Sequence, residues 1–178
     1  YLSFMITGLI AGLFQKKPDV IIATSPQFFT ACMGWMLSVF RNRPFVFELR
    51  DLWPASIIAV GAMKNSLLIT WLEKLELFLY KKADAIISVT NSFKDELISR
   101  GINGNKIFVI LNGVDHNNYQ PTSIKDPILS EKYNLKDKFV VGYLGTHGLA
   151  HGLDVILDAA EKLKQSPNIF FMLVGSGA

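Results

Sequence analysis

Two short stretches of the 178-residue chain carry side chains and backbone suited to chemistry. Arg50-Asp51-Leu52-Trp53-Pro54 sets a guanidinium beside a carboxylate, a donor and an acceptor that can orient a hydroxyl or an anionic group. Gly145-Thr146-His147-Gly148-Leu-Ala-His151-Gly152 supplies three glycines, whose bare backbone N–H groups can approach a ligand closely, and it runs at once into an apolar-periodic helix from Leu153. A glycine-rich turn leading into a helix N-terminus suits a phosphate or diphosphate. The spacing is not G-x-G-x-x-G, so the turn could equally be tight geometry without a ligand, just as Arg50 and Asp51 could simply pair and cap the next turn. His147 and His151, with Asp154 beyond, suggest a metal site by type, but Gly148 argues against the helix that would aim both rings together, and no metal is expected. Two further turns attract attention. Asn112-Gly113-Val114-Asp115 reads as a hinge, with Gly113 free to take positive φ, and Leu173-Val-Gly-Ser-Gly177 repeats the pattern of a strand entering a glycine turn.

These residues need a scaffold, and the apolar patterning says which. Asp19–Thr24, Phe45–Leu49, Ala83–Val89, Lys106–Leu111, Phe139–Leu144 and Ile169–Val174 are short, continuous, mostly β-branched or aromatic runs. Continuous rather than alternating apolarity predicts strands covered on both faces, as in a parallel sheet. Between them, Leu68, Trp71, Leu72, Leu75, Phe78 and Leu79 recur at helical steps, Ser92-Phe-Lys-Asp95 resembles a capping box for a helix closed by Gly101, and Leu153 to Leu163 forms another apolar stripe with Asp158 and Lys162 outside it. Strand and helix alternate throughout, which is α/β. In an open α/β sheet ligands gather at the carboxyl ends of strands, where all four turns above fall. Asn112 to Pro127 breaks the pattern with clustered Asn, Gly and Pro. The expected division is residues 1–111 as part of one domain, 112–127 as an interdomain linker and 128–178 as the start of a second, with the chain an internal piece spanning the junction.

Composition narrows the function classes. Half of the residues are hydrophobic and 19% are charged, which excludes a disordered chain. The net charge of +3 is spread with no basic run longer than Lys-Lys, so nucleic acid is not an expected partner. A lone Cys32 fits a reducing compartment and reads as a small buried hydrophobe. Val20 to Phe40 carries no charge and is long enough by count to span a bilayer, but Ser25-Pro26-Gln27 interrupts it where a helix needs continuous backbone bonding. A membrane hairpin is therefore the weaker reading.

The order Arg-Asp-Leu-Trp-Pro, Asn-Gly-Val-Asp, Gly-Tyr-Leu-Gly-Thr-His-Gly-Leu-Ala-His-Gly-Leu-Asp, Asp-Ala-Ala and Leu-Val-Gly-Ser-Gly resembles family 4 retaining glycosyltransferases of the GT-B fold, over nearly the whole chain. It is most similar to the bacterial subgroup that builds O-antigen, capsule or exopolysaccharide and includes L-fucosamine transferases. The resemblance implies two Rossmann-like parallel-sheet domains, the N-terminal one receiving the acceptor and the C-terminal one a nucleoside diphosphate-sugar donor. It implies Arg50 and Asp51 as catalytic-cleft residues, Gly145, Thr146, His147, Gly148, His151 and Gly152 as the donor-diphosphate turn, and Asn112, Gly113 and Asp115 as the hinge. Arg50 stands where many relatives have a histidine, Thr146 where many have an arginine, and His151 where many have a lysine. It further implies a glycan or undecaprenyl diphosphate-linked acceptor, no metal or other cofactor, and a cytoplasmic enzyme working at the inner face of the cell membrane. The apolar stretch Tyr1 to Phe40 with Lys16, Lys17, Arg41 and Arg43 is the expected lipid contact, against the plainer reading of a core with solvated charges. The family's N-terminal glycine-rich loop and its paired glutamates have no counterpart within these residues, so the chain alone is expected to transfer no sugar. A non-catalytic α/β module that binds a nucleotide-sugar or a phosphate is the alternative.

Overall fold

The computed structural model describes residues 1–54, 67–122 and 124–177; Ser123 of the expected linker and the terminal Ala178 lie outside them. The chain divides into two compact units, Tyr1–Gly113 and Val114–Ala178.

The first unit is built on four strands, β1 (Ile21–Thr24), β2 (Phe45–Leu49), β3 (Ala85–Ser88) and β4 (Ile107–Val109), all parallel and adjacent in chain order. Helices α2 (Phe28–Arg41), α3 (Leu67–Lys82) and α4 (Asn91–Ser99) make the crossovers. Because each crossover steps the same way along the sheet and parallel crossovers are right-handed, these helices fall on one face. Phe45, Phe47 and Leu49 of β2 therefore point alternately into a core shared with Leu79, Ile86 and Leu97, each at most 1% exposed. Full burial of such side chains stabilises by about 1.5–3 kcal/mol apiece. The opposite face differs from the sequence expectation of strands covered on both sides: Ile22 and Phe108 are more than half exposed there. The runs are continuous in sequence, yet among the described residues the helix-bearing face is the covered one.

Helix α1 (Leu2–Phe14) precedes the sheet and packs on α2. Gly8 lies against Met33 and Gly12 against Leu37, so the two helices run parallel, in step, and close enough that a Cβ at Gly8 would come 2.5 Å from the Met33 sulfur. Their carboxyl ends meet where Arg41 donates from its two terminal nitrogens to the Leu13 and Gln15 carbonyls, satisfying two acceptors at the end of α1. The Val20–Phe40 segment is thus a strand, a turn and a helix, which overturns the membrane-hairpin reading, and among the described residues no helix is long and apolar enough to cross a membrane.

The cap of α4 lies two residues earlier than the sequence suggests. Thr90, extended as β3 ends (φ −144, ψ 155), accepts from Phe93 N at 3.1 Å, leaving Ser92 inside the helix. Gly101, at φ +82, closes that helix as expected, with Ile102 N bonded back to Leu97 O.

The second unit holds β5 (Phe139–Leu144) paired in parallel with β6 (Ile169–Val174), joined through helix α6 (Leu153–Lys162). A short helix α5 (Pro127–Lys132) comes first; Asp126 Oδ1 caps it by accepting from Leu129 N, and Pro127 occupies the first helical position, where its missing N–H costs nothing. Pro127, placed in the linker by composition, is therefore helical. Lys125 donates to the Leu135 and Lys138 carbonyls and Lys138 to that of Pro167, tying α5 and the β6 entry to the start of β5.

Candidate functional site

In the first unit the candidate residues lie where the chain leaves β2, and the group that fixes them is one the sequence reading passed over. Ser25, 4% exposed at the exit of β1, accepts from Arg50 N (3.0 Å) and Asp51 N (3.3 Å) and donates to the Asp51 carbonyl (3.1 Å). One hydroxyl thus replaces the ladder partners that β2 lacks beyond Leu49 and shapes the turn. The strand ends at Leu49, so the side-chain alternation of β2 does not continue through Arg50 and Asp51. Arg50 is exposed, Asp51 is half-buried, and among the described residues no ion pair joins them, contrary to the plain pairing reading. Trp53 folds back onto Phe28, the first residue of α2, with rings stacked at 4.8 Å. Together with Pro26, Gln27 and Phe29 they line a small aromatic cavity of about 260 Å³ beside this turn.

Behind the turn is a buried polar cluster with no signal in the sequence pattern. Glu76 of α3 accepts from Tyr80 Oη at 2.7 Å and from the Arg100 guanidinium at 2.6 Å, with its side chain 3% exposed. Burial pushes the Glu76 carboxyl above its usual range, although the Arg100 and Tyr80 hydrogen bonds oppose this. Burial also pushes the Tyr80 phenol far up, with the Glu76 and Asp51 carboxylates adding to it. The cluster ties α3 to the end of α4, holding the helix layer on which the β2 exit rests.

In the second unit two glycine turns leave adjacent strands and stay paired. Beyond the last β5–β6 register pair, Gly145 N donates to Val174 O and His147 N to Ser176 O, both at 2.9 Å, and His147 bridges Gly177 in the parallel sense. The turns are so close that a Cβ on Gly175 would stand 1.7 Å from the Gly145 carbonyl oxygen, which only glycine avoids. Gly152, at φ +57, turns the chain into α6 without a side-chain cap, leaving first-turn N–H groups of that helix free of side-chain acceptors. Asp154 in that first turn already draws on the positive end of the helix dipole.

His147 and His151 both stand around Tyr143, with ring centroids 5.8 and 6.2 Å away; Tyr143 Oη donates to Thr146 O, and His151 Nδ1 lies 3.2 Å from Gly148 O. The Nε2 of His147 is shielded from solvent without a hydrogen-bond partner among the described residues, an expensive state for a polar atom unless a ligand or water meets it. Among the described residues no three His, Cys, Asp or Glu side chains group as metal ligands. Gly145, Thr146, His147, Gly148, His151 and Gly152 thus form one turn with a second, Gly175–Gly177, locked beside it.

At the start of the second unit, Asp115 builds the local turn: its carboxylate accepts from Asn117 N (2.9 Å) and Asn118 Nδ2 (2.6 Å), and its carbonyl from Tyr119 N. Asn112 and Gly113 are exposed, and Gly113 is not among the positive-φ residues, so the freedom expected of it is not used.

The profile of Glycosyltransferase Family 4 matches residues 2–118, about two thirds of the chain. The chain belongs to Glycosyltransferase Family 4. Similar to it is WcaI of Escherichia coli (strain K12), provisionally named a colanic acid biosynthesis glycosyl transferase, at 24% identity over 98% of this chain and 44% of WcaI. Among solved structures, Anabaena Alr3699/HepE in complex with UDP superposes with a TM-score of 0.73 at 20% identity, covering 99% of this chain and 44% of HepE. Sucrose-phosphate synthase from Thermosynechococcus elongatus superposes with a TM-score of 0.58 at 13% identity, covering 98% of this chain and 49% of the synthase. The family member described here therefore spans a little under half the length of these relatives. At such identities the likeness shows the fold, α/β with parallel sheets and of the GT-B type that the sequence motifs imply.

Proposed function

We propose that the chain carries part of the acceptor-side lobe, residues 1–111, and the opening of the donor-side lobe, residues 128–178, of a retaining glycosyltransferase. The protein moves a hexosyl or N-acetylaminosugar unit from a nucleoside diphosphate-sugar to a glycan or undecaprenyl diphosphate-linked acceptor in bacterial O-antigen, capsule or exopolysaccharide synthesis. The observation that carries this reading is the pair of hydrogen-bonded glycine turns, Gly145–Gly148 and Gly175–Gly177, beside the uncapped start of α6. Close-packed backbone N–H groups and a buried, partnerless imidazole nitrogen at His147 suit a diphosphate, and the UDP bound in HepE supports the same ligand class. The family membership supports sugar transfer as the reaction.

In this reading departure of the diphosphate develops negative charge on its oxygens and an oxocarbenium-like centre on the sugar. The Gly145–Gly152 turn and the α6 N-terminus stabilise the first, with Thr146 and His151 as hydrogen-bond donors where relatives carry cations. Arg50 and Asp51, held by Ser25, orient the acceptor hydroxyl or the transferring sugar. Asn112, Gly113 and Asp115 form the hinge, and the protein works on the cytoplasmic face of the membrane. No step needs a metal if the backbone supplies this field. The test is transfer by the full gene product from a panel of nucleoside diphosphate-sugars to lipid-linked acceptors, with product stereochemistry read by NMR. Retention at the anomeric carbon is expected, and inversion, or nucleotide-sugar binding with no transfer to any acceptor, contradicts the proposal. The 178-residue chain alone is expected to give no product.

A further inference from the structure

A diphosphate is a multiply charged anion, and the paired glycine turns of the second unit meet it without a fixed cation of their own. From Val114 on the sequence has no arginine, and neither turn contains a lysine. Lys125 and Lys138 donate to carbonyls where β5 begins, about 20 Å of strand from Gly145, and Lys136 borders the groove that Lys125 lines. Lys132 stands over the Tyr133 ring. Lys162 and Lys164 lie at the far end of α6, about 15 Å of helix from its first turn. The basic side chains of Gly145–Gly152 and Gly175–Gly177 are His147 and His151.

The two imidazoles are placed differently. The His147 ring lies between the turns, its Cδ2 3.0 Å from where a Cβ on Gly175 would stand, with Nε2 shielded and without a partner among the described residues. The His151 ring is exposed, and its Nδ1 lies 3.2 Å from the Gly148 carbonyl. A carbonyl only accepts, so Nδ1 carries the hydrogen, and in the neutral ring Nε2 is then a bare acceptor. Phosphate oxygens are acceptors as well. A neutral His151 therefore offers them nothing at Nε2, whereas the imidazolium offers an N–H and a positive charge one residue before Gly152 and the uncapped start of α6. Its titratable neighbours are Tyr143 of β5, 6.2 Å away between ring centroids, with His147 on the same phenol, and Asp154 in the first turn of α6. The Gly175-Ser176-Gly177 turn brings no titratable side chain, and α5 is followed by Tyr133, which shares a cavity with Leu144 and Val174.

We infer that the turn takes its diphosphate together with a proton held on His151, so that donor affinity rises as pH falls. The inference rests on the proposed diphosphate site and adds to it a control by pH. Bound diphosphate favours the charged ring, so the complex holds the proton more tightly than the free protein does, and by linkage lowering the pH strengthens binding. The window is the one in which imidazole side chains ordinarily change charge, between about pH 5 and 8.

The test is calorimetry of the full gene product with UDP-, GDP- and ADP-glucose from pH 5.5 to 8, in buffers of different ionisation enthalpy. Both phosphoryl groups of these probes are esterified, so their charge is constant across the range and any pH dependence belongs to the protein. The probe that binds should bind about tenfold more tightly at pH 5.5 than at pH 8, with uptake of up to about one proton. His151→Gln should keep the pH 8 affinity and lose the gain in acid, and His151→Lys should bind throughout as tightly as the parent does in acid. Hydrogen exchange of the Gly145–Gly152 and Gly175–Gly177 amides reads the site independently. Protection there with pH-independent affinity overturns the inference and leaves the site standing. A gain in acid that persists in His151→Gln assigns the proton to another group, such as Asp154, and overturns it too. Binding that protects neither turn, or no binding of any probe, removes the site and the inference together.

Discussion

Replacing Ser25 by alanine removes one oxygen and tests how the β2 exit is held. That hydroxyl is the acceptor for two backbone N–H groups, Arg50 and Asp51, and the donor to the Asp51 carbonyl, in a residue 4% exposed. Alanine fills nearly the same space, so cavity formation contributes little and the cost is that of leaving the two N–H groups unpaired. Each unpaired buried group costs about 1–3 kcal/mol, and with partial relief from water at the half-buried turn the sum is about 2–4 kcal/mol. For a unit of roughly 110 residues, one kcal/mol corresponds to about 4 °C, so the melting transition of the first unit falls by about 8–16 °C. Amide hydrogen exchange at Arg50 and Asp51 accelerates far more than at Phe47, whose ladder bonds are intact. In the full gene product the variant loses transfer rate more than nucleotide affinity, since the nucleotide is bound elsewhere in the proposed reading. A loss below about 0.5 kcal/mol with unchanged exchange at both amides would refute this account of the turn.

Other consequences are as direct. Arg100→Met strips the cation from Glu76, whose carboxyl burial already raises. A raised folded-state carboxyl binds its proton more tightly than in the unfolded chain, so stability falls as pH rises from the ordinary carboxylate range through the raised value. Removing Arg100 extends that window upward, and the variant should lose about 3–5 kcal/mol near neutrality and measurably less in acid, with Glu76→Gln in the same background recovering part; denaturant melts at several pH values check it. Gly175→Ala drives a Cβ to within 1.7 Å of the Gly145 oxygen and must part the two turns, so calorimetry should show nucleoside-diphosphate affinity of the full gene product reduced at least about tenfold. Burial pushes the Cys32 thiol up to about 11, so a disulfide reagent at mildly alkaline pH should leave the native protein unlabelled and react promptly once it is unfolded.

Much of this organisation was readable from local pattern because the strands of parallel sheets are short, apolar and bounded by small polar residues. Phe45–Leu49, Phe139–Leu144 and Ile169–Val174 fall where the composition puts them. The cap at Thr90 was missed because Ser92 satisfies the same residue-type rule, and only the extended backbone at the end of β3 decides between them. Helix α1 was hidden in an apolar stretch without a polar face to give it a period. The glycine turns were visible singly, whereas their pairing through Gly145 N and His147 N depends on strand register, which no short motif encodes. Ser25 and the Glu76–Arg100 ion pair were illegible for the same reason: their partners lie 25 and 24 residues away and meet only when the sheet and helix layer form.

The central claim is that the paired turns of the second unit hold a nucleoside diphosphate. Hydrogen–deuterium exchange of the full gene product, with and without a saturating panel of nucleoside diphosphates, tests it most directly. At least one nucleotide should slow exchange of backbone amides in Gly145–Gly152 and Gly175–Gly177, with His147→Ala weakening the effect. Tight binding of a nucleotide that leaves both segments unprotected, or no binding by any of them, would contradict it.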